Sequence, residues 1–335
     1  MHNKLVVLIL LFTITIKVYA QERVLLSVSY YSQPEGTALC APISIQMILK
    51  YWKKEMPLSV IRAKTYSNLL ESGLIYKVKS FFKKNNFGFY KPVSSNILEQ
   101  LKECLSKGIP VLTFQSLTPY DRIGHFRVYI GFDNIENILI AHDPLLGAYI
   151  SISPEEFFQM GRIYNNWFLA PYIPGALLSS NINYSFTLPV EDLWKKYFYY
   201  ACSLYEANFF IEAENFINKA SFLYSKDKKN LDKIYLLKAL IMLDIEEFSK
   251  AEEIYNKYLN NLNSYPILFL KAKLLFAKKQ YSECEALCKK LLKISPSDER
   301  LLMLMSKTLS ALGKSDTSDY YFKKATEINP ILLDK

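Results

Sequence analysis

Residues 124–143 read GHFRVYIGFDNIENILIAHD. Two strand-like runs, residues 125–132 and 138–142, flank a polar turn at Asp133-Asn134. Alternation sets His125, Arg127 and Tyr129 on one face of the first run and Phe126, Val128 and Ile130 on the other. If the runs pair as a hairpin, the start of one lies beside the end of the next. His125 then neighbours Asp143, the residue before Pro144. His142 alternates with Asp143 and points to the opposite face. A carboxylate that orients an imidazole is half of a nucleophilic site, so the upstream sequence must supply the nucleophile.

Five cysteines are candidates: Cys40, Cys104, Cys202, Cys284 and Cys288. Their odd number and the length of the chain argue against a disulfide framework. Cys40 stands apart. Ala41, Ile45, Ile48 and Trp52 recur at helical spacing, which predicts a helix beginning at about Cys40. Pro42 sits in its first turn, where a missing N–H costs nothing. The peptide dipoles at such an N-terminus favour a thiolate. Taken singly, a cysteine at a helix start packs as a small apolar residue, and strand-end His and Asp are ordinary surface groups. Taken together and in this order, Cys40, His125 and Asp143 read as nucleophile, base and orienting carboxylate. His142 stays open as the alternative base.

The surrounding elements are mixed. A helix is predicted near residues 97–106, with Ser95 as a possible cap and Gly108 just past its end. Residues 109–114 read as a buried strand. A further strand at 148–152 runs into Ser153-Pro154-Glu155-Glu156, a capping-box helix start. Helix first and sheet afterwards is an α+β arrangement.

Several short motifs now line up. They are Ser32-Gln33, then Cys40-Ala41-Pro42 with its apolar helix, and Gly108-Ile109-Pro110-Val111. Gly124-His125-Phe126-Arg127-Val128 follows, running through Gly131-Phe132-Asp133, and Asp143-Pro144 with Gly147 closes the series. In this order, over roughly residues 26–172, they resemble the bacteriocin-processing, double-glycine-type cysteine peptidases. The resemblance implies a papain-like fold with Cys40 as nucleophile, His125 as base and Asp143 as its orienter. It also implies that Gln33 lends a side-chain amide to the oxyanion hole beside the Cys40 backbone N–H. Ala41 stands where that family commonly has glycine. The exporter-type members carry a fused membrane transporter and ATPase. This chain has neither in its sequence, so it looks like the stand-alone, exported branch, and double-glycine leader peptides are not assumed as its substrates.

The second half has a different grammar. Ala201, Ala239, Ala272 and Ser306 are each followed twelve residues later by Ala213, Ala251, Cys284 and Ser318. Ile217, Tyr255, Cys288 and Phe322 come four further on, then Ala220, Tyr258, Leu291 and Ala325. Repeat starts fall near 194, 232, 265 and 299. The pattern resembles tetratricopeptide repeats, whose period is about 34 residues. Such a stack is a binding scaffold with a concave surface for a protein segment. Cys284 and Cys288 sit at repeat-core positions and read as small packing residues.

Composition narrows the function classes. The 335 residues include only 10 glycines and three histidines. Gly-rich phosphate-binding motifs and zinc-ligand spacings are absent from the sequence, so no metal and no cofactor is expected. The net charge of +9 is spread as +2 over residues 1–20, +4 over 21–178 and +3 over 179–335. No basic stripe results, and nucleic acid is not expected as a partner. Residues 1–20, MHNKLVVLILLFTITIKVYA, carry Lys4, an apolar run from Leu5 to Ile16 and a small residue at Ala20. This reads as an export signal, too short for a comfortable span of about 20 residues. An uncleaved anchor is the alternative. A periplasmic, cell-envelope or secreted location follows, with no membrane span in the mature chain.

The organisation expected is therefore a signal peptide (1–20), a papain-like cysteine peptidase domain (21–175), a linker (176–192) and four tetratricopeptide-like repeats (193–330). The expected activity is hydrolysis of peptide bonds in a peptide or protein substrate, with a protein partner or substrate docked in the repeat groove. Two rivals stay open: a catalytically idle adaptor of the same fold, and an acyltransferase or amidase using the same thiol.

Overall fold

Runs of β-branched and aromatic residues in the first half form strands, and the punctuating prolines and polar turns set their lengths. The structure, a computed structural model, describes residues 22–67, 72–176, 182–183, 185–188, 193–224 and 230–329. The export-signal reading of residues 1–20 lies outside them. The described residues fall into two compact units, one of those up to Gln115 together with His125–Leu188, the other of Ser116–Gly124 together with those from residue 193 onward.

The first unit runs β1 (Arg23–Leu26), α1 (Cys40–Tyr51), α2 (Leu58–Thr65), β2 (Tyr66–Ser67), β3 (Ser72–Gly73), α3 (Ile75–Lys84), β4 (Gly88–Phe89) and α4 (Ile97–Ser106). It continues with β5 (Val111–Ser116), β6 (Gly124–Asp133), β7 (Ile138–Asp143), β8 (Gly147–Ile152), α5 (Pro154–Gly161), β9 (Phe168–Leu169), β10 (Pro171–Tyr172) and β11 (Ile182–Asn183). β6 is the spine of the main sheet and pairs with β1, β5 and β7; β8 extends β7, β9 extends β5 and β11 extends β1. The predicted hairpin is β6–β7, antiparallel, with Val128 opposite His142 and Asp133 opposite Ile138. Its core is aliphatic and aromatic, with Phe126, Val128, Ile130 and Phe132 buried with Ile43, Ile45 and Ile48 of α1. Polar links reinforce this packing: Ser44 Oγ on α1 donates to the Phe126 carbonyl at 3.3 Å.

The capping box at Ser153 forms in full, with the Glu156 N–H on the Ser153 side chain and the Glu156 side chain on the Ser153 N–H. The cap of α4 is Asn96 rather than Ser95. Its Oδ1 accepts from the N–H groups of Leu98 and Glu99, because the helix starts at Ile97 and the residue just before it has the reach. Inside the stretch expected as linker, Ile182 and Asn183 pair with Leu26 and Leu25, so the sheet extends beyond residue 175.

The second unit is a stack of helix pairs: α6 (Leu193–Glu206), α7 (Phe210–Leu223), α8 (Leu231–Asp244), α9 (Phe248–Ile254), α10 (Tyr265–Ala277), α11 (Tyr281–Ile294), α12 (Glu299–Ala311) and α13 (Ser315–Ile328). Ala201, Ala213, Ala239, Ala251, Ala272 and Cys284 are all buried where the pairs touch, as small residues permit. Cys284 Sγ sits 3.3 Å from the Ala272 carbonyl and 3.9 Å from Cys288 Sγ. Two positions of the repeat series, Tyr258 and Phe322, are exposed instead of buried. α9 continues as a π-turn, Tyr255–Leu259. The wider turn shifts the phase by one residue, so Leu259 is buried where Tyr258 was expected. Tyr258 lies outside and stacks on Tyr235 at 3.6 Å and 3°.

The segment Ser116–Gly124 belongs to this unit too. Tyr120 packs edge-on to Tyr200 at 5.5 Å and lies 5.9 Å from Phe216. Asp121 Oδ2 accepts from Thr118 Oγ1 at 2.7 Å and from Ser203 Oγ at 3.0 Å.

Candidate active site

The site is built from the first residue of α1, the second residue of β6 and the last residue of β7. Leu39 precedes α1 without any side-chain cap, so the helix begins with free N–H groups around Cys40. The hairpin register brings Asp143 to His125, whose Nε2 lies 2.8 Å from Asp143 Oδ1. That contact leaves Nδ1 to face the thiol, and Cys40 and His125 share a hydrogen bond. All three side chains are buried, with Cys40 7% exposed. The structure therefore brings Cys40, His125 and Asp143 together in one cluster.

The electrostatics follow from opposed effects. Burial alone pushes the Cys40 thiol up; the His125 charge, its hydrogen bond and the Phe126 N–H outweigh it and hold the thiol below its ordinary value. Burial works against a charged His125, yet Asp143 and Cys40 raise it to about 9. Burial works against ionised Asp143 too, and His125 and Arg127 bring it down to about 2. Asp143 Oδ1 also accepts from the N–H groups of Leu145 and Leu146, both at 2.9 Å. A charged thiolate–imidazolium pair anchored by a carboxylate is what this cluster can hold, and such a pair attacks electrophilic carbon. By contrast, burial drives Cys104 and Cys202 up to about 12.

Gln33 is next to the cluster through its backbone: its N–H donates to the Pro144 carbonyl at 2.8 Å. Its Nε2 donates to the Thr37 carbonyl at 2.6 Å, which leaves one amide hydrogen uncommitted.

His142 sits elsewhere. Its Nε2 donates to the Val28 carbonyl at 2.9 Å, and its Nδ1 accepts from the Tyr149 N–H at 3.1 Å. Tyr149 has φ 52, and the β7–β8 register shifts between Ala141 and Asp143. The imidazole fills this bulge. Burial lowers it to about 4, so it is neutral.

Two participants escaped the sequence reading. The Phe126 N–H on the thiol is a backbone group with no sequence signal. Arg127 was placed on the face of His125 by alternation, but nothing in the sequence tied it to Asp143; its Nε is 3.1 Å from Asp143 Oδ2. Among the described residues no cluster of three metal-ligating side chains occurs, and no helix is long and apolar enough to cross a membrane.

Residues 25–167 match the model of the Peptidase C39 like family. Residues 265–298 and 299–331 each match the tetratricopeptide repeat. No curated protein matches the chain. Solved structures similar to it include MamA 41-end from Desulfovibrio magneticus RS-1 and a MamA RS-1 ArsTM double mutant. Each is 16% identical over 42% of this chain and 78% of its own, with a TM-score of 0.32.

Proposed function

From the premise that the chain carries a Peptidase C39-like domain followed by tetratricopeptide repeats, we propose that it is an exported cysteine peptidase. Cys40 is the nucleophile, His125 the general base and acid, and Asp143 the orienting carboxylate. The observation that carries the reading is the 2.8 Å contact of His125 with Asp143 beside a thiol that His125 holds low. The thiolate attacks a peptide carbonyl, forming a C–S bond and an oxyanion. The Cys40 N–H and the uncommitted Gln33 amide hydrogen stabilise that oxyanion. The His125 imidazolium gives its proton to the leaving amine as the C–N bond breaks. The neutral ring then takes a proton from water, which hydrolyses the thioester.

The repeats are a protein-interaction region, and in this reading they dock the substrate or a partner. Within them lies a concavity of about 570 Å³ lined in part by Tyr205, Asn208, Asp244, Glu299 and Arg300. Its mixed charges suit an extended polypeptide. An export signal at residues 1–20 delivers the chain to the cell envelope or beyond.

Site-resolved labelling with iodoacetamide and hydrolysis of a peptide library test the proposal together. Cys40 is expected to label at neutral pH at least tenfold faster than Cys104. Cys40→Ala and His125→Ala are expected to abolish hydrolysis with the fold retained; Asp143→Asn is expected to keep a residue of it. Labelling of Cys40 at the rate of Cys104 overturns the nucleophile. Fast labelling without peptide cleavage, but with transfer to an added amine, turns the assignment to an acyltransferase.

A further inference from the structure

Arg127 is among the largest fully buried side chains, 1% exposed. A guanidinium stays charged in any protein, so its burial is costly without an anionic partner. The partner is set by the hairpin. Val128 lies opposite His142, and one step along, Arg127 lies opposite Asp143. Nε of Arg127 reaches Asp143 Oδ2 at 3.1 Å, while Asp143 Oδ1 faces His125 at 2.8 Å. The other end of the guanidinium is held as well: Nη1 donates to Met160 Sδ on α5 at 2.9 Å. Tyr129, on the same strand face, hydrogen-bonds Arg127 and donates its own O–H to Gln115 Oε1 at 3.0 Å. α5 also brings Glu156 to this region; its carboxylate caps the helix through the Ser153 N–H at 2.8 Å. The carboxylate of Asp143 is thus divided, one oxygen to the imidazole and one to a rigidly mounted cation.

We propose that Arg127 is a positioning residue that acts through Asp143, fixing one carboxylate oxygen on His125 and balancing the carboxylate charge so that the Cys40–His125 ion pair forms. The inference rests on the peptidase reading of the same cluster. Cys40 and Asp143 contribute two negative charges when the pair is formed, and His125 and Arg127 contribute two positive ones. Without Arg127, only His125 and the backbone N–H groups offset the buried charge of Asp143, and more of that charge acts on the thiolate. If Asp143 instead turns away, His125 loses its support. Both routes move thiolate formation to higher pH.

The test is the pH dependence of Cys40 alkylation by iodoacetamide in the full chain, resolved by mass spectrometry, for Arg127→Met, Arg127→Lys, Asp143→Asn and the Met–Asn double variant. Arg127→Met is expected to shift the rise in reactivity upward by about one pH unit, roughly tenfold in rate at neutral pH. Arg127→Lys, which keeps the charge, is expected to stay within about 0.3 unit of the unaltered chain. In the Asp143→Asn background the Met substitution is expected to add little. Coincident curves for Arg127→Met and the unaltered chain overturn the proposal, as does a full additional shift in the double variant. If the Met variant does not fold, Arg127→Lys decides, and a shift of about one unit there overturns it. Slow Cys40 labelling in the unaltered chain sinks the peptidase reading instead, so the two failures are distinct.

Discussion

Two adjacent residues, His142 and Asp143, show how one strand assigns opposite fates to neighbouring side chains. Asp143 is held ionised, and His142 is held neutral inside a bulge. The folded pKa of His142 lies below its ordinary 6.5, at about 4. Its contribution to stability is therefore complete above pH 6.5 and is lost as pH falls toward 4. His125 behaves in the other sense, its contribution complete below 6.5 and lost as pH rises through about 9. Asp143 weakens the fold only as pH falls from 3.8 toward 2. The window between 6.5 and 4 thus belongs to His142 among these three, and unfolding titrations there are expected to show a loss of about 2–4 kcal/mol. His142→Gln can still accept from Tyr149 and donate to Val28, so it is expected to fold, flatten that window and retain peptide hydrolysis. A flat window in the unaltered chain would refute the assignment. The separation of the two faces was legible in the sequence because strand alternation is a local property. The hold of Arg127 on Asp143 was not, because it needs the register of a second strand.

At the scale of elements, the start of α1 meets β3. A side chain at Gly73 would collide with the Ala41 methyl and approach the Phe126 ring. Ala41 follows the nucleophile, so the bareness of Gly73 makes room for the methyl that this chain carries there. Gly73→Ala is expected to destabilise the first unit by about 1–3 kcal/mol in denaturant melts. Ala41→Gly in the same chain is expected to restore most of the loss. An additive penalty in the double variant would show that the two do not share the space. The capping box at Ser153 was readable because all its parts lie within four residues. The choice of Asn96 over Ser95 hinged on one residue of helix start, finer than apolar spacing resolves. The π-turn escaped for a related reason. The repeat phase was read by assuming unbroken α-geometry, which places Tyr258 where Leu259 actually lies.

For the molecule as a whole, the periodicity of the second half foretold its helix pairs, since each repeat packs mainly on its neighbours. The membership of residues 116–124 was not foretold. It depends on contacts of Tyr120 and Asp121 with residues some eighty positions away, and no local pattern encodes such a distance. Tyr120→Ala in the full chain is expected to loosen α6 and α7, with faster amide hydrogen exchange around Tyr200 and Phe216. Unchanged protection there would show that the segment adds nothing to the stack.

That same segment imposes an order on the making of the protein. A ribosome delivers Ser116–Gly124 before any residue of α6 exists, and β6 follows immediately with the histidine of the site. The packing partners of this stretch follow only some eighty residues later. Synthesis and packing of this stretch are thus separated along the chain: Tyr120 can meet Tyr200 and Phe216 only once the chain through residue 216 has been made.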